Sequence, residues 1–143
     1  MKFRWMMLPG MVLALSHGPL AFAEPFTIAQ IEINYMLNFV EISGCEFYRN
    51  GSWYDSVQAQ QHLRAKFDYL SARNRIATAE DFIERAASKS SLSGRSYEVR
   101  CGDCTTTTTN DWLKAVLVRF RIVVAREARA AITAQPARGH GPR

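Results

Sequence analysis

The sequence predicts an α+β fold: a small antiparallel sheet, made of a hairpin plus a third strand, packed against about four helices. Three observations carry this. Asn50-Gly51 lies between the aromatic-rich runs Cys45–Arg49 and Ser52–Tyr54, and Asn-Gly in that setting is the strongest short-range hairpin signal, because a type I′ turn needs positive φ at both central residues. Thr27-Ile28-Ala29-Gln30, Asp55-Ser56-Val57-Gln58 and Thr78-Ala79-Glu80-Asp81 each resemble a helix cap and each leads into apolar residues at helical spacing. Tyr97, Val99 and Cys101 alternate with Ser96, Glu98 and Arg100, the period of a half-buried strand.

The chain opens on a segment expected to be a signal peptide, residues 1–23. Lys2 and Arg4 form a positive start, Trp5 to Leu15 are mostly apolar, and Ala21-Phe22-Ala23 offers a small-residue cleavage site before Glu24. Pro9, Gly10 and Ser16-His17-Gly18-Pro19 interrupt the apolar run, which argues against a membrane anchor. Residues 24–121 then form one domain, and residues 122–143 a basic helical extension and a disordered tail rich in Pro, Gly and Arg. No transmembrane segment is expected in the mature chain, which is placed in the periplasm or outside the cell after cleavage near Ala23.

Helix one runs over roughly Ile28 to Ile42, with Ile31, Tyr35, Met36, Leu37 and Val40 recurring at helical spacing and Gly44 stopping it in a left-handed conformation. The two-residue hairpin loop pairs Arg49 with Ser52, Tyr48 with Trp53 and Phe47 with Tyr54. Cys45, Phe47 and Tyr54 then share the core face, and Tyr48 with Trp53 the other. A helix over Ser56 to Ser71 puts Ala59, Leu63, Lys66 or Phe67, and Leu70 on one stripe, with His62 beside it. A short helix from Thr78 follows, with Ala79, Phe82, Ile83 and Ala86 inward. Ser88 to Gly94 read as a serine-rich turn. Gly102 to Thr109, with five consecutive threonines, are expected to be a loop. Asn110 or Asp111 caps a last helix bearing Trp112, Leu113, Val116, Leu117, Phe120 and Val124, although residues 118–122 also alternate as a strand would.

Charge is divided along the chain. The 143 residues carry a formal net charge of +5. Residues 114–143 hold seven basic side chains against Glu127 alone, whereas residues 24–113 hold nine against twelve acids. The body is therefore mildly acidic, and the overall basicity does not point to nucleic acid. The basic end is a candidate for contact with anionic surfaces.

Of the three cysteines, Cys45 and Cys101 sit on inward faces of predicted strands. In an oxidising compartment a bond between them is favoured, and closing so long a loop is worth about 4 kcal/mol in the chain-entropy model. Cys101-Gly102-Asp103-Cys104 is the competing reading, a redox pair. It lacks the helix N-terminus that lowers a reactive thiol's pKa. Which two of Cys45, Cys101 and Cys104 are bonded stays open. No metal site is expected, because no histidine follows close after the Cys101/Cys104 pair, and no cofactor motif is present.

The candidate catalytic residues are His62, with Ser90 and Ser91 of the serine turn. A His base needs a partner within hydrogen-bond reach, and the G-x-S-x-G elbow and Ser-x-x-Lys spacing of known serine hydrolases are absent. The competing reading makes His62 a structural residue tying the hairpin or serine turn in place. The turn's backbone N–H groups are also a candidate anion site, although hydroxyls in such turns usually satisfy their own backbone.

Cys45-x-Phe47-x-Arg49-Asn50-Gly51, Ala59-x-x-His62-Leu63-x-x-Lys66 and Thr78-Ala79-Glu80-x-Phe82-Ile83 are followed in order by Ala87-Ser88-x-Ser90-Ser91-x-Ser93-Gly94-x-x-Tyr97 and Trp112-Leu113. This series resembles the YfeK-like proteins, small exported bacterial proteins of unknown function, over roughly Ile31 to Arg121. The resemblance implies an exported, periplasmic domain and supplies no activity, ligand or partner. The threonine run, Cys104 and the extension past Arg121 depart from the pattern. Candidates for a binding surface are Tyr48, Arg49, Trp53, Lys66, Glu80, Ser93 and Tyr97. The expectation is a non-enzymatic binding or envelope-accessory module with an unidentified envelope protein or ligand as partner. The alternative is a small hydrolase or transferase using His62 with the Ser88–Ser93 turn.

Overall fold

Thr27 opens the first helix by reciprocal capping. Its hydroxyl accepts from the Gln30 N–H at 3.2 Å, and the Gln30 side chain accepts from the Thr27 N–H at 2.9 Å. Two of the donors that every helix start leaves unpaired are thereby satisfied. The computed structural model describes residues 26–102 and 105–134. The expected signal segment, Cys104 and the tail from Gln135 lie outside those residues.

Helix α1 (Ile28–Ile42) ends before Gly44, whose φ of +65° turns the chain into β1 (Glu46–Arg49). Asn50 and Gly51, at φ +50° and +98°, make the tight turn to β2 (Ser52–Tyr54) in the expected register. Asp55 caps α2 (Ser56–Ser71) by accepting from the Gln58 N–H at 2.8 Å. Thr78 caps α3 (Ala79–Phe82), which widens into a π-helical turn, Ile83–Ala87. The Ser88 hydroxyl closes that turn by donating to the Ile83 carbonyl at 2.6 Å. Strand β3 (Glu98–Arg100) pairs antiparallel with β1.

The threonine run is not a plain loop. Thr107–Thr108 form a fourth strand, β4, antiparallel to β3, giving the order β2-β1-β3-β4. Branched threonines suit a sheet edge, a preference hidden by the run's low complexity. Helix α4 (Thr109–Ala134) follows without a break, so residues 118–122 are helical. Its cap is Thr108 rather than Asn110 or Asp111: the Thr108 hydroxyl accepts from the Asp111 N–H at 3.1 Å. The Asn110 amide instead donates to the Ser88 hydroxyl at 2.6 Å and to Glu84 at 3.0 Å.

The core lies where α1, the π-turn and the first half of α4 meet the Phe47–Val99 row of the sheet. Met36, Leu37, Val40, Phe82, Ile83 and Leu113 are wholly buried. The inward stripe of α1 is carried by Ile33, Met36, Leu37 and Val40. Ile31 is exposed, as is Tyr35, which stacks on Phe120 at the rim. Past Leu117, α4 leaves the core, and Val118, Ile122, Val123 and Val124 are all exposed.

Two ties, one covalent and one charged, fix this arrangement. Cys45 and Cys101 are bonded across a separation of 56 residues. They are the next opposed pair beyond Glu46 and Arg100 in the β1/β3 register. The bond therefore fastens strands that already face each other. The second tie is Glu32 on α1, only 6% exposed, whose two oxygens accept from Arg121 of α4 at 2.6 and 2.8 Å. Arg121 also donates to Glu80 of α3 at 2.7 Å.

Reduction, or paired Cys45→Ser and Cys101→Ser substitution, is expected to lower stability by about 4 kcal/mol, measured as a shift in urea unfolding. Arg121→Ala is expected to cost about 2–3 kcal/mol by stranding the Glu32 carboxylate. Combining it with Glu32→Leu should recover part of that loss in the same measurement, since no charge is then left buried.

Candidate functional site

Strand alternation places Arg49 on the same side of β1 as Cys45 and Phe47, at the hairpin end of the inner face. Its guanidinium stacks over the Tyr54 ring at 4.8 Å. A guanidinium stacked on a ring by its face keeps the N–H donors along its edge available. Ala59, His62 and Lys66 follow one another at single-turn spacing along α2, and Tyr97, just ahead of β3, reaches them from the sheet. His62 Nε2 and the Tyr97 hydroxyl share a hydrogen bond of 3.1 Å, with the rings edge to face at 5.9 Å. Lys66 donates to the Lys89 carbonyl at 2.8 Å while its ammonium lies 5.1 Å from the Tyr97 ring centre.

Between these groups is a crevice walled by Arg49, Tyr54, Gln58, His62, Tyr97 and Thr109 over an apolar floor of Phe47, Ala59 and Leu63, with Tyr48 at its edge. It offers about 40 Å³ to water-sized occupants, room for a few waters or one small head group, since a single water needs about 10–15 Å³. His62 is also a wall of a shallower hollow of about 220 Å³ shared with Lys66, Tyr69 and Ser91.

Three features mark the crevice electrostatically. Among the described residues, every ion pair falls elsewhere: Arg85 with Asp81, Arg100 with Glu46, Lys114 with Glu84, and Arg121 with Glu32 and Glu80. Arg49 and Lys66 thus flank the site without a carboxylate. Burial, then Arg49, then Lys66 push His62 down to about 4, and burial with Arg49 lowers Lys66 to about 8. Burial raises Tyr97, with Arg49 opposing. Finally, Thr109 is 1% exposed, and its hydroxyl has no hydrogen-bond partner among the described residues. An unpaired buried hydroxyl costs free energy, and Thr109 is one of the residues that line the crevice.

Of the sequence candidates, Tyr48, Arg49, His62 and Tyr97 line the crevice, Lys66 and Ser91 line the adjoining hollow with His62, and the others lie apart. Tyr48 and Trp53 form a cross-strand pair 5.3 Å apart, and Arg100 covers Trp53 at 4.0 Å. Glu80 belongs to the Arg121 junction. The Ser93 hydroxyl donates to Asn50 at 2.7 Å, fastening the serine turn to the hairpin loop. The buried Ser90 hydroxyl accepts from the N–H groups of Leu92 and Ser93, both at 3.3 Å, within its own turn. Ser91 is exposed at the hollow. Tyr54, Gln58 and Thr109 line the crevice without carrying a site signal in the sequence. Tyr54 is legible there only as an inward partner of Phe47, whereas nothing distinguishes Thr109 within a run of five threonines.

A family model described as a family of unknown function, DUF5329, matches residues 27–121. The chain belongs to this family. The matched stretch begins at the α1 cap and ends at Arg121, so the DUF5329 unit contains the whole crevice and both ties described above. The chain is 42% identical over 69 residues to an uncharacterized protein, YfeK, of Salmonella typhimurium, a stretch that is 48% of this chain and 56% of that protein. It thus spans little more than half the length of this relative. The YfeK-like resemblance in the sequence motifs and the family match agree. No solved structure matches the chain.

The position of His62 gives a signed pH dependence. Free imidazole titrates near 6.5, so between about pH 6.5 and 4 the unfolded chain binds a proton that the folded chain refuses. The corresponding stability is complete above pH 6.5 and is lost as the pH falls toward 4. His62→Gln is expected to flatten the stability slope across that window by on the order of 2 kcal/mol, measured as urea midpoints from pH 7 to pH 4.5.

Proposed function

We propose that the protein is a non-enzymatic binding module of the cell envelope. Residues 1–23 direct it to the periplasm or beyond, and Arg49, His62, Lys66 and Tyr97 form the polar part of its binding surface. The observation carrying this reading is the pair of cations, Arg49 and Lys66, held beside His62 and Tyr97 with no carboxylate among their ion-pair partners in the described residues. Such a cluster is stabilised by an incoming ligand rather than by the fold. Export is supported by the charged, apolar and small-residue order of the first 23 residues. The Cys45–Cys101 bond fits an oxidising compartment.

A general base works best with a pKa near the working pH, and burial with two flanking cations favours a His62 that stays neutral until about pH 4. Its hydrogen-bond partner is Tyr97, and the Ser90 hydroxyl is engaged by its own turn. These points favour binding over hydrolysis or group transfer at this site.

Two measurements test the proposal. Mass spectrometry of the cell fractions is expected to find an envelope species that starts at Glu24 and carries one disulfide; a full-length cytoplasmic thiol form overturns export. Envelope extract passed over the immobilised protein is expected to leave a component that an Arg49→Ala, Lys66→Ala variant fails to retain. Equal retention by both, or by neither, overturns the assignment of the surface.

A further inference from the structure

We propose that the crevice seats the carboxylate end of an acidic ligand, with the Arg49 guanidinium, the Thr109 hydroxyl and the Tyr97–His62 pair as its hydrogen-bonding wall. The inference deepens the binding-module reading and rests on it.

The first argument is donor supply. Arg49 is stacked on Tyr54 and has no carboxylate partner among the described residues. Its edge presents two parallel N–H groups, the fork that matches the two oxygens of a carboxylate. Thr109 contributes a buried hydroxyl that has no partner among the described residues. Native structures rarely leave such a group unsatisfied, and an acceptor in the crevice removes the defect. With His62 Nε2–H donating to the Tyr97 oxygen, the Tyr97 phenol adds a further O–H donor to the wall. An ionised carboxylate accepts at about four lone-pair positions, a demand this set meets without any acidic residue of the wall competing.

The second argument is size. About 40 Å³ of accommodating space is far below the roughly 300–1,000 Å³ of a pocket that engulfs a small molecule. The crevice therefore reads one end of a ligand. Phe47, Ala59 and Leu63 make the floor apolar, suited to the short aliphatic stub behind a carboxylate. The remainder of the ligand lies outside, where His62 borders the second hollow with Lys66 and Ser91. The Lys66 ammonium then serves as a longer-range counter-charge beside the ligand body.

The third argument is the field. Arg49 and Lys66 repel each other and both disfavour protonation of His62. An anion in the crevice beside Arg49 offsets part of this repulsion, whereas a neutral ligand of the same shape does not.

The test is NMR titration of the full mature chain at constant ionic strength, following the Arg49 side-chain N–H, the Thr109 amide and the His62 ring. The probes are acetate, propionate, acetamide and inorganic phosphate. Acetate and propionate are expected to shift these signals saturably, with dissociation constants in the range of about 1–10 mM for so small a probe. Acetamide, with the same shape but no charge, is expected to produce no saturable shift. Arg49→Gln should weaken acetate by about tenfold or more. Thr109→Val should weaken it several-fold while leaving the unfolding midpoint unchanged or higher, because an unpaired hydroxyl is removed; a purely structural threonine would not separate the two readouts. Acetamide binding as well as acetate overturns the inference in favour of an apolar slot, and phosphate binding more tightly than acetate overturns it in favour of a tetrahedral anion. If no probe shifts the signals while an envelope component still depends on Arg49 and Lys66, the carboxylate assignment fails and the binding-module reading survives. If that dependence is also missing, both fail.

Discussion

Tyr97 is the residue on which the rest of the arrangement depends. Its N–H donates to the Ser88 carbonyl at 2.9 Å, at the end of the π-turn, and its carbonyl accepts from the Thr109 N–H at 3.0 Å, at the start of α4. Its phenol meets His62 on α2. One residue thus joins three helical segments to the sheet. Strand β3, which begins at the next residue, is paired on one side with β1 and on the other with β4. The Cys45–Cys101 bond, one residue beyond Arg100, prevents the β1/β3 pair from opening at the end away from the hairpin loop.

That joint has an electrostatic consequence. The acids near the core are claimed at other positions, Glu32 and Glu80 by Arg121, Glu84 by Lys114 and Asn110, and Glu46 by Arg100. The carboxylates of Glu80 and Glu84 are held below their usual range by those partners. The hairpin end of the sheet, by contrast, gathers Arg49 and Lys66 around two aromatic rings and an imidazole. Arg49 and Lys66 therefore stand apart from the ion pairs of the described residues. Pairing at the α1–α3–α4 junction rigidifies the scaffold, and the unpaired end is left to meet solvent or a ligand.

Much of the fold is legible because it is written in local chemistry. Asn50-Gly51 dictates the hairpin register through its two positive φ angles. Thr27, Asp55 and Thr78 announce helix starts through side chains that act within three residues. The fourth strand is hidden because Thr107 and Thr108 become a strand only when β3 is already there to pair with. The role of Thr109 is hidden for the same reason: its burial depends on α4 docking against Tyr97, a contact between separate elements. Arg49, His62, Lys66 and Tyr97 are visible individually. Their convergence is a product of tertiary packing, which spacing along the chain does not encode.

The crevice also shows why the surrounding scaffold is tied so firmly. A Lys66 with a lowered pKa and a buried Thr109 hydroxyl without a partner among the described residues each reduce the stability of the empty protein, and His62 adds to this cost as the pH falls below about 6.5. A domain of this size has little surplus from core burial alone. The cross-strand disulfide and the bidentate Glu32–Arg121 pair, with Glu80 as a second partner, act on the same elements from the other side. They hold β1, β3 and α4 where Arg49, Tyr97 and Thr109 must stand. Removing the strain at the crevice would make a more stable protein and a poorer site, because the groups left unsatisfied by the fold are the ones available to a ligand.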